Sequence, residues 1–230
     1  MNDALLKDPK EYIVLALDYD NLDEAIYTST LVGEFVGTLK VGLELFCACG
    51  PKAVKSVKEL GFKVFLDLKL CDIPVTVAKT LKVISKMGVD FTTIHLQPEP
   101  ATLKFIASDL KSLKQDLCIL GVTVLTSQNT NPEKIKELIN WALELDLGGV
   151  VLSAADLNYV KDITKQFEIV CPGIRTELLH SDDQVRIASP EKAVKSGATK
   201  IVVGRPITKS SNPKASAKLI YNEVKQALKK

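Results

Sequence analysis

"VFLDLKLCDIP", residues 64–74, opens as an apolar run and ends in Asp67, Lys69 and Asp72, with Pro74 closing it. Such a run reads as a strand covered on both faces, as in a parallel sheet, with charged groups where the chain leaves the core. The pattern recurs along the chain. Apolar runs stand at 12–17 (YIVLAL), 38–43 (TLKVGL), 63–68 (KVFLDL), 90–96 (DFTTIHL), 118–125 (CILGVTVL), 148–153 (GGVVLS), 167–172 (FEIVCP) and 199–204 (TKIVVG).

Between these runs lie stretches of helical period. In "NPEKIKELINWALEL", Ile135, Leu138, Ile139, Ala142 and Leu143 share one face, with Asn131 as N-cap and Pro132 at the first helical position. "SPEKAVKSG" repeats the device with Ser189 and Pro190, and Gly197 is the expected stop. The C-terminal segment sets Ile220, Val224, Ala227 and Leu228 on one side. Eight strands, each followed by helical sequence and with no linker between halves, predict a single α/β domain over residues 1–230, a (β/α)8 TIM barrel. A doubly wound open sheet would favour a glycine-rich phosphate turn after the first strand, and "ALDYDNLDEA" has no glycine.

The 230 residues are 46% hydrophobic and 25% charged, an ordinary globular composition. A net charge of +2 with no long basic run argues against a nucleic-acid surface, and no apolar stretch reaches the roughly 18 residues that span a bilayer. The N-terminal "MNDALLKDPKEY" has no apolar core of signal-peptide length, and the five cysteines are odd in number. These features lead us to expect a cytoplasmic protein whose cysteines are reduced and serve as small hydrophobes.

In a barrel of this kind, catalytic groups come from the C-terminal ends of the strands. Those ends supply Asp18, Lys40, Asp67, Lys69 and His95. On an extended segment, Asp67 and Lys69 project to the same side. The alternating signs of Lys40, Asp67, Lys69 and Asp72 permit the mutual pairing that charges in a barrel mouth require. By spacing alone, a solvated charged loop after an ordinary strand stays open as a reading. Gly204 and Arg205 in "VVGRP" end the eighth run, where barrels commonly hold phosphate, although a tight turn and a surface ion pair would use the same residues. The segment "GIRTELLHSDDQVRIAS" (173–189) is long for a strand-to-helix loop and reads as a functional lid.

"DLKLCDIP" resembles the D-x-K-x-x-D-I-P signature of the orotidine 5′-phosphate decarboxylase family. "LALD", "LKVG", "TIH", "GVTVLTS", "CPGIR", "DDQVR" and "VVGRPIT" resemble further landmarks of that family, in order, from Asp18 to Thr208. The resemblance implies decarboxylation of orotidine 5′-monophosphate (OMP) to uridine 5′-monophosphate (UMP), with no metal and no cofactor. It assigns Lys69 as the general acid that protonates C6, Asp67 beside the substrate carboxylate, Lys40 as its orienting partner and Asp72 as a group donated by the second subunit of a homodimer. Ile73 and Thr76 would join the shared site, Thr76 across the interface with Asp72. Asp18 would hold ribose hydroxyls, Ser127 and Gln184 the pyrimidine, and Pro172 the base pocket. Gln184, Gly204 and Arg205 would hold the phosphate. His95 and His180 are expected outside the chemistry.

Three places depart from the family pattern: Val75 where a small polar residue is usual, the lid sequence, and "HLQPEP" after the fourth strand. Two other functions remain. A metal-dependent sugar-phosphate synthase or decarboxylase of the same suprafamily shares D-x-K-x-x-D, but is expected to carry an acidic Mg2+ ligand near Lys40. A non-catalytic nucleotide-binding barrel would bind UMP and leave OMP intact.

Overall fold

A computed structural model describes residues 8–97, 104, 112, 117–125, 128, 131–160, 167–175 and 187–229. Eight parallel strands close on themselves in sequence order: β1 (Ile13–Leu17), β2 (Thr38–Val41), β3 (Lys63–Leu70), β4 (Phe91–His95), β5 (Cys118–Val122), β6 (Gly149–Val151), β7 (Glu168–Cys171) and β8 (Lys200–Val203). β8 pairs back onto β1 through Ile13–Ile201 and Val14–Val202. The expected (β/α)8 barrel is the observed fold.

Alternation within each strand explains the continuous apolar runs. Val14, Phe65, Phe91, Leu120 and Val170 pack together inside the barrel. Their neighbours Ile13, Leu15, Val64, Leu66 and Ile169 pack outward against the helices. Both faces are dry, so every residue of β1 is buried.

The helices whose bounds fall among the described residues are α1 (Leu22–Val32), α2 (Leu43–Cys49), α3 (Pro51–Glu59), α4 (Pro74–Lys86), α5 (Pro132–Glu144), α6 (Pro190–Lys195), α7 (Arg205–Thr208) and α8 (Pro213–Ala227). Asn131, Ser189 and Asn212 cap α5, α6 and α8 by accepting from Lys134, Lys192 and Ala215 backbone N–H groups, each with proline opening the helix. Gly197 lies at φ +108 just past α6, as a stop there requires.

The strands are mostly shorter than the apolar runs. Gly42 caps α2 and Leu43 is already helical, so β2 ends at Val41. After β6 comes a 3-10 helix, Ala154–Val160. On α5, Ile135, Leu138, Ile139 and Ala142 are buried, but Leu143 is exposed, because the buried stripe is narrower than the periodicity suggests.

The barrel has two unlike ends. At the N-terminal end the Lys200 ammonium is sealed at 2% exposure, donating to the Glu11 carbonyl (3.1 Å) and standing 5.0 Å from the Phe91 ring centre. This end is closed and serves stability. The opposite end is open and carries the site.

Candidate functional site

β3 builds the centre of the site. Phe65 pairs with Phe91 and Leu66 with Thr92, but the next pair is Leu70 with Ile94, so four residues of β3 span two of β4. Lys69 lies in this bulge at φ +51. The left-handed conformation costs a non-glycine residue about 1–2 kcal/mol. The expectation of an extended segment at Asp67–Lys69 is therefore corrected: the two side chains meet through a bulge, a device that re-aims side chains at barrel rims. The Lys69 backbone N–H donates to Thr93 Oγ1 (2.8 Å) on β4.

Asp67, 8% exposed, is the hub. Its Oδ2 accepts from Lys69 Nζ at 2.7 Å and faces Lys40 Nζ at 3.7 Å. Its Oδ1 accepts from the Thr93 hydroxyl at 2.9 Å. Lys40 also faces Asp18 Oδ1 at 3.5 Å. Burial on its own pushes the Asp67 carboxyl up. The charges of Lys40 and Lys69, with hydrogen bonds from Lys69 and Thr93, outweigh burial and hold the carboxyl below its ordinary value. The carboxylate is thus charged at neutral pH, and both ammonium groups are oriented by it. The Lys69 side chain keeps 32% exposure against 11% for Lys40, so Lys69 is the ammonium that a ligand reaches.

Glycine leaves room beside this cluster. A Cβ at Gly42 would stand 2.9 Å from Lys40 Nζ, and one at Gly204 would stand 3.2 Å from Asp18 Oδ2. Both positions let the ends of β1, β2 and β8 converge.

A cavity of about 230 Å3 opens above the cluster, lined on one side by Asp18, Lys40, Asp67 and Lys69. Pro172, Arg175, Gly204 and Arg205 line the other side, with Val122, Leu125 and Val151 as apolar wall. Arg175 was missed in the sequence, where "CPGIR" drew attention only to Pro172. Its guanidinium is 7% exposed, and Nη1 donates to the Ile174 carbonyl at 2.9 Å. The available signal was an arginine four residues past the end of the seventh strand, where barrels gather phosphate ligands. Ile174 bridges Ala188 in parallel, and Arg175 N–H donates to the Ala188 carbonyl at 2.9 Å. The two ends of the expected lid are thereby pinned together at the cavity rim.

The remaining sequence candidates lie elsewhere. Asp72, Ile73 and Thr76 are exposed, and none of them is among the described residues that line the cavity. Asp72 Oδ1 accepts from the Ile73 N–H at 2.6 Å. Ser127 and Gln184 fall outside the described residues, as do His180, most of the expected lid and Pro98–Pro100 of "HLQPEP". His95 is half-buried, its Nδ1 has no partner among the described residues, and burial, then the nearby Lys69, push its pKa down, so it is neutral at neutral pH. All five cysteines are free. Cys171 is buried, but Cys47 and Cys71 are exposed, which departs from the expectation that the cysteines serve as small hydrophobes.

Fold and site together define a (β/α)8 barrel whose open end pairs a fixed ammonium with two guanidinium groups, a mouth suited to a small anionic ligand. Residues 11–220 match the Orotidine 5′-phosphate decarboxylase / HUMPS family, and the chain belongs to that family. An orotidine 5′-phosphate decarboxylase of Wolbachia pipientis subsp. Culex pipiens is 41% identical over 224 residues, covering 92% of this chain and 98% of that one. One from Saccharophagus degradans is 34% identical over 231 residues, covering 95% and 97%. The crystal structure of orotidine 5′-phosphate decarboxylase from Lactobacillus acidophilus superposes with a TM-score of 0.76 at 32% identity, covering 92% of this chain and 98% of that one.

Proposed function

We propose that this chain, one domain over residues 1–230, is an orotidine 5′-phosphate decarboxylase, a carboxy-lyase that converts OMP to UMP in pyrimidine synthesis with neither metal nor organic cofactor. The observation that carries this reading is the Lys69 ammonium, fixed 2.7 Å from a buried carboxylate in a cavity that also holds Arg175 and Arg205. Phosphate is placed at the two guanidinium groups and Gly204, through charge-assisted hydrogen bonds. The pyrimidine then reaches across the mouth toward Lys69, with Pro172 beside it and Asp18 free to take ribose hydroxyls.

The C6–carboxylate bond breaks, CO2 leaves, and the electron pair stays on C6. The Lys69 ammonium stabilises that carbanion and transfers its proton to C6, after which the amine regains a proton from solvent. Asp67 holds the ammonium in place and presents negative charge near the departing carboxylate. Lys40 screens Asp67 and links it to Asp18. Because an ammonium already stands between the two carboxylates, they offer no open place for a divalent cation.

The second subunit is part of this reading. Ile73 is 67% exposed, Val75 47% and Leu43 56%, an apolar set at the rim beside the site. A second copy covering this rim brings its own Asp72, Ile73 and Thr76 to the neighbouring cavity, with Ser127 and Gln184 completing the substrate contacts. No helix among the described residues is long and apolar enough to cross a membrane. With five free cysteines, we place the protein in the cytoplasm.

Loss of OMP absorbance with purified protein, measured with and without EDTA, tests the proposal. We expect equal turnover in both. UMP binding without OMP consumption would indicate a binding protein, and turnover abolished by EDTA would indicate a metal-dependent relative.

A further inference from the structure

We propose that Thr93 is a positioning residue: its single hydroxyl fixes both the Asp67 carboxylate and the left-handed turn at Lys69, and so aims the Lys69 ammonium into the cavity. This inference rests on the reading of Lys69 as proton donor. Thr93 is fully buried at the centre of β4 and does not itself line the cavity. Its hydroxyl hydrogen goes to Asp67 Oδ1 (2.9 Å), and its oxygen accepts the Lys69 backbone N–H (2.8 Å). Asp67 Oδ2 in turn accepts from Lys69 Nζ (2.7 Å). Lys69 is therefore tied at its backbone to the Thr93 hydroxyl and at its side-chain tip to the carboxylate that this hydroxyl holds.

The neighbouring threonines show the contrast. Thr92 Oγ1 donates to the Leu66 carbonyl and Thr123 Oγ1 to the Val151 carbonyl, ordinary bonds to an adjacent strand. Thr93 spends its hydrogen on a charged side chain instead. In the bulge, the Lys69 N–H needs an acceptor that is not the regular ladder, and a hydroxyl on β4 supplies one. Among the described residues, the charged groups around Asp67 are Lys40 from β2 and Lys69 from β3, with Asp18 reached through Lys40 and the neutral His95 near Lys69. Thr93 is the neutral contact, so its removal changes hydrogen bonding without changing net charge.

The test compares wild type, Thr93→Val and Thr93→Ser as full-length protein, by OMP turnover against pH, by KM and by thermal unfolding against pH. Valine keeps the volume and removes the hydroxyl, whereas serine restores the hydroxyl. We expect valine to lower kcat roughly 10- to 100-fold, the scale of a lost hydrogen bond to a charged group, with KM changed by less than about 3-fold. The acid limb of kcat should move to higher pH, because Asp67 loses a bond that favours its charged form. Serine should return kcat to within about 3-fold of wild type. Should valine fail to fold, Thr93→Ala makes the same comparison with serine.

Wild-type kcat and acid limb in the valine variant would overturn the inference. So would a serine variant as slow as valine with an unchanged melt. Wild-type protein that never consumes OMP would defeat the decarboxylase reading instead. The inference would then be judged by unfolding alone, where the valine variant should be less stable than wild type at pH 7 and should lose less stability than wild type as pH falls below about 4.

Discussion

Replacing Asp67 by asparagine keeps the shape at the hub and removes its charge. In the folded protein this leaves two ammonium groups near one another, with Lys40 only 11% exposed. Removing one partner of a buried ion pair typically costs about 3–5 kcal/mol. Lys40 keeps Asp18 at 3.5 Å, and Lys69, at 32% exposure, retains water. Both facts place the loss at the lower end, about 3 kcal/mol, which for a chain of this size lowers the melting temperature by roughly 6–12 °C. The pH dependence has a definite sign. The folded Asp67 carboxyl lies below the ordinary value of 3.8, so its contribution is complete above that value and is lost as pH falls further. The penalty in Asp67→Asn should therefore be full at pH 7 and shrink below about pH 4 as wild type loses the same contribution. Urea or thermal unfolding of both proteins at pH 7 and at pH 3 to 4 measures it. An asparagine variant as stable as wild type at pH 7, or a penalty that grows in acid, would refute the ion-pair account.

Gly42→Ala should act chiefly on Lys40. The new Cβ would sit 2.9 Å from Lys40 Nζ, so the flexible lysine retreats from Asp18 and Asp67. We expect kcat/KM to fall about 10-fold with a melt lowered by less than in Asp67→Asn, read by steady-state kinetics and calorimetry. The thiols of Cys118 and Cys171 are both pushed up to about 12, chiefly by burial. Iodoacetamide at pH 8 should leave both unlabelled in native protein and label both in urea, as read by mass spectrometry.

The barrel was legible because its strands are dry on both faces, which makes each one a short apolar run, and because Asn131-Pro132 and Ser189-Pro190 mark two helix starts. Strand ends were less legible: Gly42 and Leu43 look like a continuation of β2, yet the glycine caps a helix. Charged residues after strands 1, 2 and 3 pointed to the cluster, and the structure joins Asp18, Lys40, Asp67 and Lys69. The bulge left no trace in composition, since a lysine at positive φ has no residue signature such as glycine provides. Thr93 was hidden for another reason. Its role depends on β4 lying beside β3 with a shifted register, and a buried threonine in an apolar run looks like any β-branched strand residue.

Turnover of OMP by Lys69→Ala, set beside wild type under identical conditions, bears most directly on the central claim. If the Lys69 ammonium protonates C6, the variant should fold, should still bind UMP, and should lose activity by about 10,000-fold, the scale of general-acid and electrostatic catalysis. A folded Lys69→Ala protein that decarboxylates OMP within tenfold of wild type would contradict it.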